Sequence, residues 1–401
     1  MKTARYQVVW NIFITAFWIR VVWGFVAQEF FPPLEHAEMA IQMVFDLTLI
    51  GLGLYTLRSA RDIGLLFVAP VMRYLVREPE RRQFVEERFD RHLYVFLIIQ
   101  AICLVWQFFK YGAGDHGGGS LGNFYSGICS TLIYIISFYL MHKRVDPADY
   151  FGSLWRNRSL ILLLVPTLLN ETKVSFVYLM MYFVLLLPIN RRAFLRLVVS
   201  VPALLLLLTG AMMAYVSFTG GEAADAFSLE YYTEMYFYND ESEEYTKWLF
   251  DEDLWEAEDI PRFTKLQILT EVAEDHPGHS WLGFGVGHFK GHSGSVISAS
   301  EFYKEYEWLI LGTVPYLMHI WIQLGFAGIA LVIAFFAANL RSTAYRNIDF
   351  NIAAYVYLNV VIIFFYNDSI RNALMMSVFC FIMFFGRPRD TLSSASHTPT
   401  E

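Results

Sequence analysis

The sequence predicts an all-α, polytopic integral membrane protein with about ten transmembrane helices and one large, partly helical extracytoplasmic loop. Composition is the first reason: of 401 residues, 56% are hydrophobic and 17% are charged, whereas soluble chains average about 45–50% and 25%. Clustering is the second reason. The apolar residues gather in runs such as 8–22 and 320–340, and runs near 20 residues cross a bilayer core as helices.

Ten apolar segments are the expected transmembrane helices. In chain order they are 8–27, 38–57, 93–109, 121–141, 159–170, 174–189, 194–217, 310–338, 350–366 and 372–386. Residues 1–217 therefore carry the first seven helices, and 310–386 carry the last three. The polar tail 387–401 is expected to be cytoplasmic and disordered.

Positive charge orients these helices, because cytoplasmic loops of membrane proteins are enriched in Lys and Arg. With the N-terminus in the cytoplasm, 21 of the 30 basic residues fall on the cytoplasmic side, eight fall outside and Arg20 lies within a span. The opposite orientation inverts that ratio. We therefore expect a multi-pass protein of the bacterial inner membrane, with both termini cytoplasmic and the large loop periplasmic.

Two regions need a more detailed interpretation. The apolar segment Ile63–Val76 is short, and Arg-rich sequence flanks it within the cytoplasmic segment 58–92. It is predicted to be an interfacial or re-entrant helix, or else part of a solvated connector. The segment 159–189 is too long for one helix and is interrupted by the polar residues 170–173. We expect a hairpin of two short helices whose tip lies at the outer membrane face.

The segment 218–309 is the predicted extracytoplasmic loop. It carries 20 Asp and Glu against five Lys and Arg, together with many Tyr and Trp residues. Such acidity argues against nucleic acid as a partner. Carboxylates and aromatic faces suit sugar recognition, while a solubilising loop with interfacial aromatic residues is the alternative. The aromatic content favours a folded cap over a disordered segment.

Part of the loop resembles a known family. Residues Arg262 to Pro277 read RFTKLQILTEVAEDHP and lead into WLGFGVGHF, which places Gly283, Gly285 and Gly287 before Phe289. This pattern resembles bacterial O-antigen polymerases and O-antigen ligases, in which an Arg opens a helix late in the periplasmic loop and a Gly-x-Gly-x-Gly-x-Phe turn follows it.

Two further segments extend the resemblance, which covers about a third of the chain. Residues 323–328, QLGFAG, are similar to the glycine pair of that family in the span after the loop. Asn170–Lys173, NETK, lies where many members carry Thr-x-Ser-Arg. Many members also have His-Asn just before that span, whereas this chain has Val314-Pro315 and its nearest histidine there is His319.

The resemblance implies a multi-span glycosyltransferase that uses an undecaprenyl-pyrophosphate-linked glycan as donor. Cations at the membrane surface would stabilise the leaving pyrophosphate. Arg262 and Lys173 are the candidates supported by motifs, and Arg371 lies in the last short outer loop. His319 is the candidate base or orienting group, with helix packing as the alternative. Lys265 and the three turn glycines are expected to contact substrate.

Other residues allow more than one interpretation. Arg20 and Asp46 fall at similar depth in the first two spans, so Arg20 is either a structural ion-pair partner or a donor-site residue. Histidines at 276, 279, 288 and 292 have spacings that zinc could use, but interrupting glycines and the lack of a nearby cysteine argue against metal. We expect no cofactor and no metal.

The protein is therefore expected to polymerise lipid-linked repeat units in the synthesis of a surface polysaccharide, either O-antigen or exopolysaccharide. The alternative within the family is ligation to lipid A core, which the acidic loop disfavours because lipid A core is phosphorylated. Outside the family, the alternatives are a lipid-linked glycan transporter and a membrane anchor whose loop binds a partner. The expected partners are the lipid-linked glycan, membrane lipid, a flippase and chain-length regulator proteins.

Overall fold

A computed structural model of the chain describes its helices and part of the large loop. The described residues are 2–30, 35–56, 68–76, 78–112, 117–122, 125–146, 149–169, 174–187, 265–266, 268–270, 272, 276–285, 306, 309, 314–341, 349–366 and 372–385. Every regular element within these ranges is helical. The all-α class is thus confirmed for this part of the protein.

Twelve α-helices and one 3₁₀ turn are found in the described ranges. They are α1 Lys2–Phe30, α2 Glu35–Thr56, α3 Val68–Val76, α4 Pro79–Tyr111, the 3₁₀ turn Gly119–Leu121, α5 Ser126–Arg144, α6 Tyr150–Arg156, α7 Arg158–Leu162, α8 Val165–Leu168, α9 Val174–Leu186, α10 Tyr316–Arg341, α11 Phe350–Tyr366 and α12 Ala373–Phe385. The predicted span 194–217, the hairpin tip 170–173 and the tail 387–401 lie outside the described residues.

Three of these helices contain segments long and apolar enough to cross a membrane: Arg5–Ala27, Pro79–Tyr111 and Tyr316–Ala334. Shorter apolar helical segments lie at Ala40–Thr56, Arg158–Leu168, Val177–Leu186, Phe350–Tyr366 and Ala373–Met383. The described chain is therefore compatible with a membrane protein. The expected number of about ten spans stays a prediction.

The chain divides into two compact units, each described here by itself. The first comprises Met1–Ile189, Asn339–Val360 and Ser369–Glu401, and the second comprises Asn190–Ala338 and Val361–Asp368. In the first unit, α5 is the central helix, since residues 128–142 are all buried. The ring of Phe138 in α5 stacks on that of Tyr355 in α11, with the ring centroids 4.0 Å apart.

Paired glutamines fix the 3₁₀ turn of the first unit. The side chain of Gln107 in α4 donates to the Gly119 carbonyl at 2.9 Å and accepts from the Gly119 amide at 2.8 Å. Gln100 accepts from the Ser120 amide at 2.8 Å. Gly24 of α1 lies so close to the Leu121 carbonyl that no side chain would fit there. Buried polar groups are thereby satisfied where α1 and α4 meet the turn.

Ionic contacts lie at the end of α5 that the charge pattern assigns to the cytoplasm. The Lys143 ammonium lies 2.8 Å from Glu86 and 2.6 Å from Asp90, both in α4. Burial lowers the pKa of Lys143, but the negative charges of Asp90 and Glu86 outweigh it, and the net pKa is raised. His142 contacts Asp349 at 3.1 Å, which ties α5 to the start of α11.

The predicted span 93–109 is part of a longer helix than expected. It continues the last part of the cytoplasmic segment 58–92 without interruption in one helix, α4, which begins at Pro79. Proline is favoured at the first helical turn because its missing N–H would be unbonded there anyway. In α3, Val71, Met72 and Leu75 are fully buried, so this helix packs into the first unit through an apolar face.

Candidate functional site

Four of the predicted site residues, Arg262, Lys173, Arg371 and Gly287, lie outside the described residues. Their roles remain predictions. Asn372, immediately after Arg371, is described and caps α12. Its side-chain oxygen accepts from the amides of Leu374 at 3.0 Å and Met375 at 3.4 Å.

A helical segment of the large loop packs on α10 in the second unit. Residues 265, 266, 268–270 and 272 are helical. Residues 268, 269 and 272 of this segment are buried on one helical face and belong to one apolar cluster with Met318, Trp321 and Ile322 of α10. These apolar contacts hold the late part of the loop, which carries the family-like pattern, directly on α10.

Lys265 lies on that same face and is fully buried. Transferring a lysine from water into a packed interior is costly unless neighbouring groups compensate its charge. The predicted contact of Lys265 with substrate stays a prediction.

Helix α10 is interrupted at Gly325. The backbone there has φ 61° and ψ −159°, whereas its neighbours are helical. That region of backbone space is restricted essentially to glycine, because any Cβ would clash. Residues 323–328 form the glycine motif identified in the sequence, and the first glycine of this motif, Gly325, breaks the helix.

Residues 280–285, which we call the inserted turn, complete the interrupted helix. In a continuous helix the amides of Phe326 and Ala327 would bond to carbonyls four residues earlier. Instead, Phe326 donates to the Ser280 carbonyl at 3.0 Å, and Ala327 donates to the Trp281 carbonyl at 3.0 Å. The inserted turn thus supplies the two acceptors that the break removes.

The inserted turn also donates hydrogen bonds to α10. The break frees the carbonyls of Ile322 and Gln323, which have lost their usual helical donors. Phe284 donates to Ile322 at 2.7 Å, and Gly285 donates to Gln323 at 3.2 Å. Four backbone hydrogen bonds therefore join the inserted turn to α10, and these donors and acceptors at the break all have partners.

Both sides of this contact require glycine because the two backbones approach each other closely. A Cβ on Gly283, whose φ is 71°, would lie 2.5 Å from the Gln323 carbonyl carbon and the Leu324 nitrogen. A Cβ on Gly325 would lie 2.5 Å from the Trp281 oxygen and 2.6 Å from the Leu282 nitrogen. The two glycine motifs of the sequence are therefore two halves of one contact.

Histidines and aromatic rings lie beside the inserted turn. The ring of His279 stacks on Phe284, with centroids 4.5 Å apart and planes 5° apart. The Nε2 atom of His276 lies 3.4 Å from the Tyr306 hydroxyl oxygen. Among the histidines of the predicted stretch, 288 and 292 lie outside the described residues. The stacking of His279 on Phe284 is a contact that the spacing of the histidines in the sequence does not predict.

His319 is buried within α10, six residues before the break at Gly325. Six helical residues correspond to about 9 Å along the axis. It is thus in the same helix as the glycine contact. Both predicted roles, base and packing residue, stay open, since burial suits either of them.

Arg20 belongs to the first unit. Its guanidinium is fully buried and lies 5.1 Å from the centre of the Tyr125 ring. Asp46 in α2 is close enough to interact electrostatically with Arg20. A carboxylate and an aromatic face are neighbours that a charged residue within a span needs. Its predicted binding of substrate stays a prediction.

Comparison of the sequence with known protein families and curated proteins identifies no relative. No protein-family model matches the chain, and no curated protein matches it.

Proposed function

We propose that this protein is a membrane glycosyltransferase that polymerises polyprenyl-pyrophosphate-linked oligosaccharide repeat units for surface polysaccharide synthesis. The observation that carries the proposal is the backbone pairing of the inserted turn with the break in α10. Two motifs that the sequence resemblance treats separately are thereby parts of one local structure. Discontinuous backbone inside a span is tolerated where protein covers it or where it lines a polar path.

The proposed reaction follows from the donor chemistry. A hydroxyl oxygen of the acceptor sugar attacks the anomeric carbon of the donor glycan. The bond from that carbon to the pyrophosphate oxygen breaks, and the electron pair leaves with the lipid pyrophosphate. A base takes the hydroxyl proton, for which His319 is the candidate. Arg262, Lys173 and Arg371 would stabilise the negative charge that develops on the pyrophosphate.

The proposal includes a topology of about ten spans in the bacterial inner membrane. Both termini lie in the cytoplasm, and the acidic loop lies outside. In that arrangement the inserted turn comes from the outer side, where a lipid-linked glycan is presented after a flippase has moved it across. Chain-length regulator proteins are the further partners that such a polymerase needs. Arg20 and Lys265 are retained as proposed substrate contacts.

A transporter of lipid-linked glycan is the second candidate, and the break in α10 favours it specifically. Secondary transporters bind substrates at discontinuous helices near the middle of the bilayer. Ligation of glycan to lipid A core is the alternative within the transferase class. All three candidates use the same lipid-linked glycan, so the accumulated product distinguishes them.

Deletion of the gene followed by complementation tests these candidates. Surface polysaccharide and lipid-linked intermediates would be separated on gels from the deletion strain and from strains that express Arg262→Ala, Gly325→Ala or Gly278→Ala. Gly278 is exposed, and its added Cβ would meet nothing within 4 Å, so it is the matched glycine control.

A lost polymerase leaves single repeat units on the surface, and only wild type and Gly278→Ala restore long chains. Long lipid-linked chains that accumulate outside indicate a ligase. Intermediates that remain on the cytoplasmic side indicate a transporter. An unchanged polysaccharide profile after deletion, with expression confirmed in the parent strain, would contradict all three.

A further inference from the structure

Helix α6 exposes two aromatic rings on one side. Phe151 is 81% exposed and Trp155 is 70% exposed, and residues four apart lie on the same face of a helix. Ser153, midway between them in the sequence, is buried. Two residues correspond to about 200° of helical rotation, so Ser153 lies on the opposite face. Helix α6 therefore turns a small residue towards the protein and two large apolar residues outward.

Hydrogen bonds fix the buried face of α6 to the chain just after α5. The Ser153 hydroxyl oxygen accepts from the Asp146 amide at 3.0 Å, and the hydroxyl donates to the Tyr150 carbonyl at 2.9 Å. Since α5 ends at Arg144, two residues before Asp146, these bonds hold α6 close to that end of α5.

Contacts with α4 give the level of this end of α5 relative to a bilayer. Helix α4 is long and apolar enough to cross a membrane, and its charged part ends at Arg91, where apolar sequence begins. The Lys143 ammonium contacts Asp90 at 2.6 Å, on the charged side of this change. The Arg144 guanidinium lies 5.5 Å from the centre of the Tyr94 ring, just beyond it. The end of α5, and α6 beside it, therefore lie where α4 passes from polar to apolar surroundings.

Two arginines in this region are available to bind an anion. The Arg158 guanidinium lies 5.0 Å from the centre of the Trp155 ring and donates to the Trp155 carbonyl at 3.2 Å. Arg158 and Arg144 are both exposed, and within the described ranges neither forms an ion pair with a carboxylate. Arg156, in contrast, pairs with Asp149 at 2.8 Å. An exposed guanidinium of this kind can bind a phosphate through two hydrogen bonds.

Aromatic rings accompanied by arginine are typical of helices that lie in a membrane interface. Rings as large as those of Phe151 and Trp155 seldom stay uncovered together in water. The interface still contains water, which can bond to the first amides of α6, since such amides have no helical acceptors. An anionic phospholipid supplies what this surface needs, because its acyl chains cover the rings and its phosphate pairs with a guanidinium.

We infer that α6 lies in the membrane interface and binds an anionic phospholipid. Phe151 and Trp155 rest against its acyl chains, and Arg158 binds its phosphate, with Arg144 as a second cation at the same boundary. The distribution of positive charge along the chain assigns this lipid to the cytoplasmic leaflet. The inference depends on α4 crossing the membrane and not on the proposed glycosyl transfer.

Quenching of a fluorophore by brominated lipid tests the placement of α6. Bimane would be attached at Phe151→Cys, with Ile102→Cys and Glu87→Cys on α4 as the deep and the aqueous comparisons. Both comparison residues are exposed, and they lie eleven residues after Arg91 and four residues before it. The native cysteines are buried, and unsubstituted protein treated with the same reagent gives the labelling background. The full chain would be reconstituted in vesicles of phosphatidylglycerol and brominated phosphatidylcholine.

Bimane at position 151 is expected to be quenched more strongly by lipid brominated near the headgroup than by lipid brominated near the chain ends. The opposite order is expected at Ile102→Cys, and little quenching by either lipid is expected at Glu87→Cys. Absence of quenching at 151 would mean that water or another part of the chain covers α6, and it would overturn the inference. A profile at 151 that matches the one at 102 would overturn the interfacial placement.

Arg158→Ala and Arg156→Ala form a matched pair for testing the headgroup contact. Binding of phosphatidylglycerol and of phosphatidylcholine to the purified full chain would be measured by native mass spectrometry. Arg158→Ala should lower the affinity for phosphatidylglycerol roughly fivefold, equivalent to about 1 kcal/mol for one cation at a membrane surface. Arg156→Ala should leave the affinity unchanged, because Asp149 already offsets that charge.

Arg144→Ala is the second variant and should weaken phosphatidylglycerol binding in the same direction as Arg158→Ala. The bimane profile at 151, repeated in each variant, reports whether α6 has kept its place. Equal losses in Arg156→Ala and Arg158→Ala would overturn the assignment of the phosphate to Arg158. Equal affinity of the unsubstituted protein for phosphatidylglycerol and phosphatidylcholine would overturn the assignment to an anionic lipid.

Discussion

Replacement of Gly325 by alanine is the most informative single perturbation of this structure. Alanine at φ 61° and ψ −159° is strained by at least about 1 kcal/mol. Its Cβ would also collide with the backbone of Trp281 and Leu282. We expect the inserted turn to separate from α10, because backbone on both sides of the contact cannot yield as a flexible side chain could.

The magnitude follows from the strain that separation relieves, because the hydrogen bonds that it changes are the same in wild type and in the variant. If α10 becomes a continuous helix, Phe326 and Ala327 recover their ordinary helical acceptors. The amides of Phe284 and Gly285 then lose their partners, at about 1 kcal/mol each. That cost is the same in wild type and variant, so the strain and the overlap of the new Cβ with backbone are what favour detachment, by about 3 kcal/mol relative to wild type. Since 1.4 kcal/mol is a factor of ten, protection of these amides should fall about a hundredfold.

Hydrogen–deuterium exchange of peptides that cover residues 280–285 measures this protection directly in reconstituted protein. Gly278→Ala is the control, because its Cβ would meet nothing within 4 Å. Peptides from α5, in the first unit, provide an internal reference that the variant should leave unchanged. Equal protection in Gly325→Ala and Gly278→Ala would refute the claim that the contact between the turn and the break requires glycine.

Two further predictions concern single residues. Gly283→Ala should release the same turn, since its Cβ would approach backbone from the other side, and the same exchange measurement checks it. Lys143→Met should lower stability in denaturant by about 2 kcal/mol, because Glu86 and Asp90 lose their shared cation. Since these carboxylates raise the pKa of Lys143, its stabilisation should persist at neutral pH and fall only as alkaline pH passes that raised pKa.

The helical class could be predicted because apolar run length carries the information by itself. The segment expected at 350–366 coincides with α11, Phe350–Tyr366. Its start is marked in the sequence by Asp349, whose side chain accepts from the Asn351 amide at 2.9 Å. Local signals of this kind, apolar length and a capping side chain, need no knowledge of the rest of the chain.

Continuity between neighbouring segments was harder to predict. The charged stretch before residue 93 and the apolar stretch after it differ in composition, so the sequence predicts a cytoplasmic segment, 58–92, followed by a span, 93–109. They form α4 because their backbone is continuously helical from Pro79 to Tyr111. Helical hydrogen bonds connect residues four apart whatever the surroundings of their side chains, so a change in composition need not end a helix.

The contact between the inserted turn and α10 could not be predicted, although both of its glycine motifs were recognised. Backbone pairing between Phe284 and Ile322 joins residues 38 positions apart and leaves no periodic pattern in the sequence. Gly325 within an apolar run was compatible with ordinary helix packing. Only the three-dimensional structure shows that its backbone is non-helical and that the turn supplies its acceptors.

Polymerisation by the purified protein tests the proposed function most directly. The protein would be reconstituted in vesicles with undecaprenyl-pyrophosphate-linked repeat units from the same organism, and products would be separated by length. We predict a ladder of longer lipid-linked chains together with release of undecaprenyl pyrophosphate, both lost in Gly325→Ala and retained in Gly278→Ala. Folded wild-type protein that leaves the repeat units unextended and releases no undecaprenyl pyrophosphate would contradict the proposal.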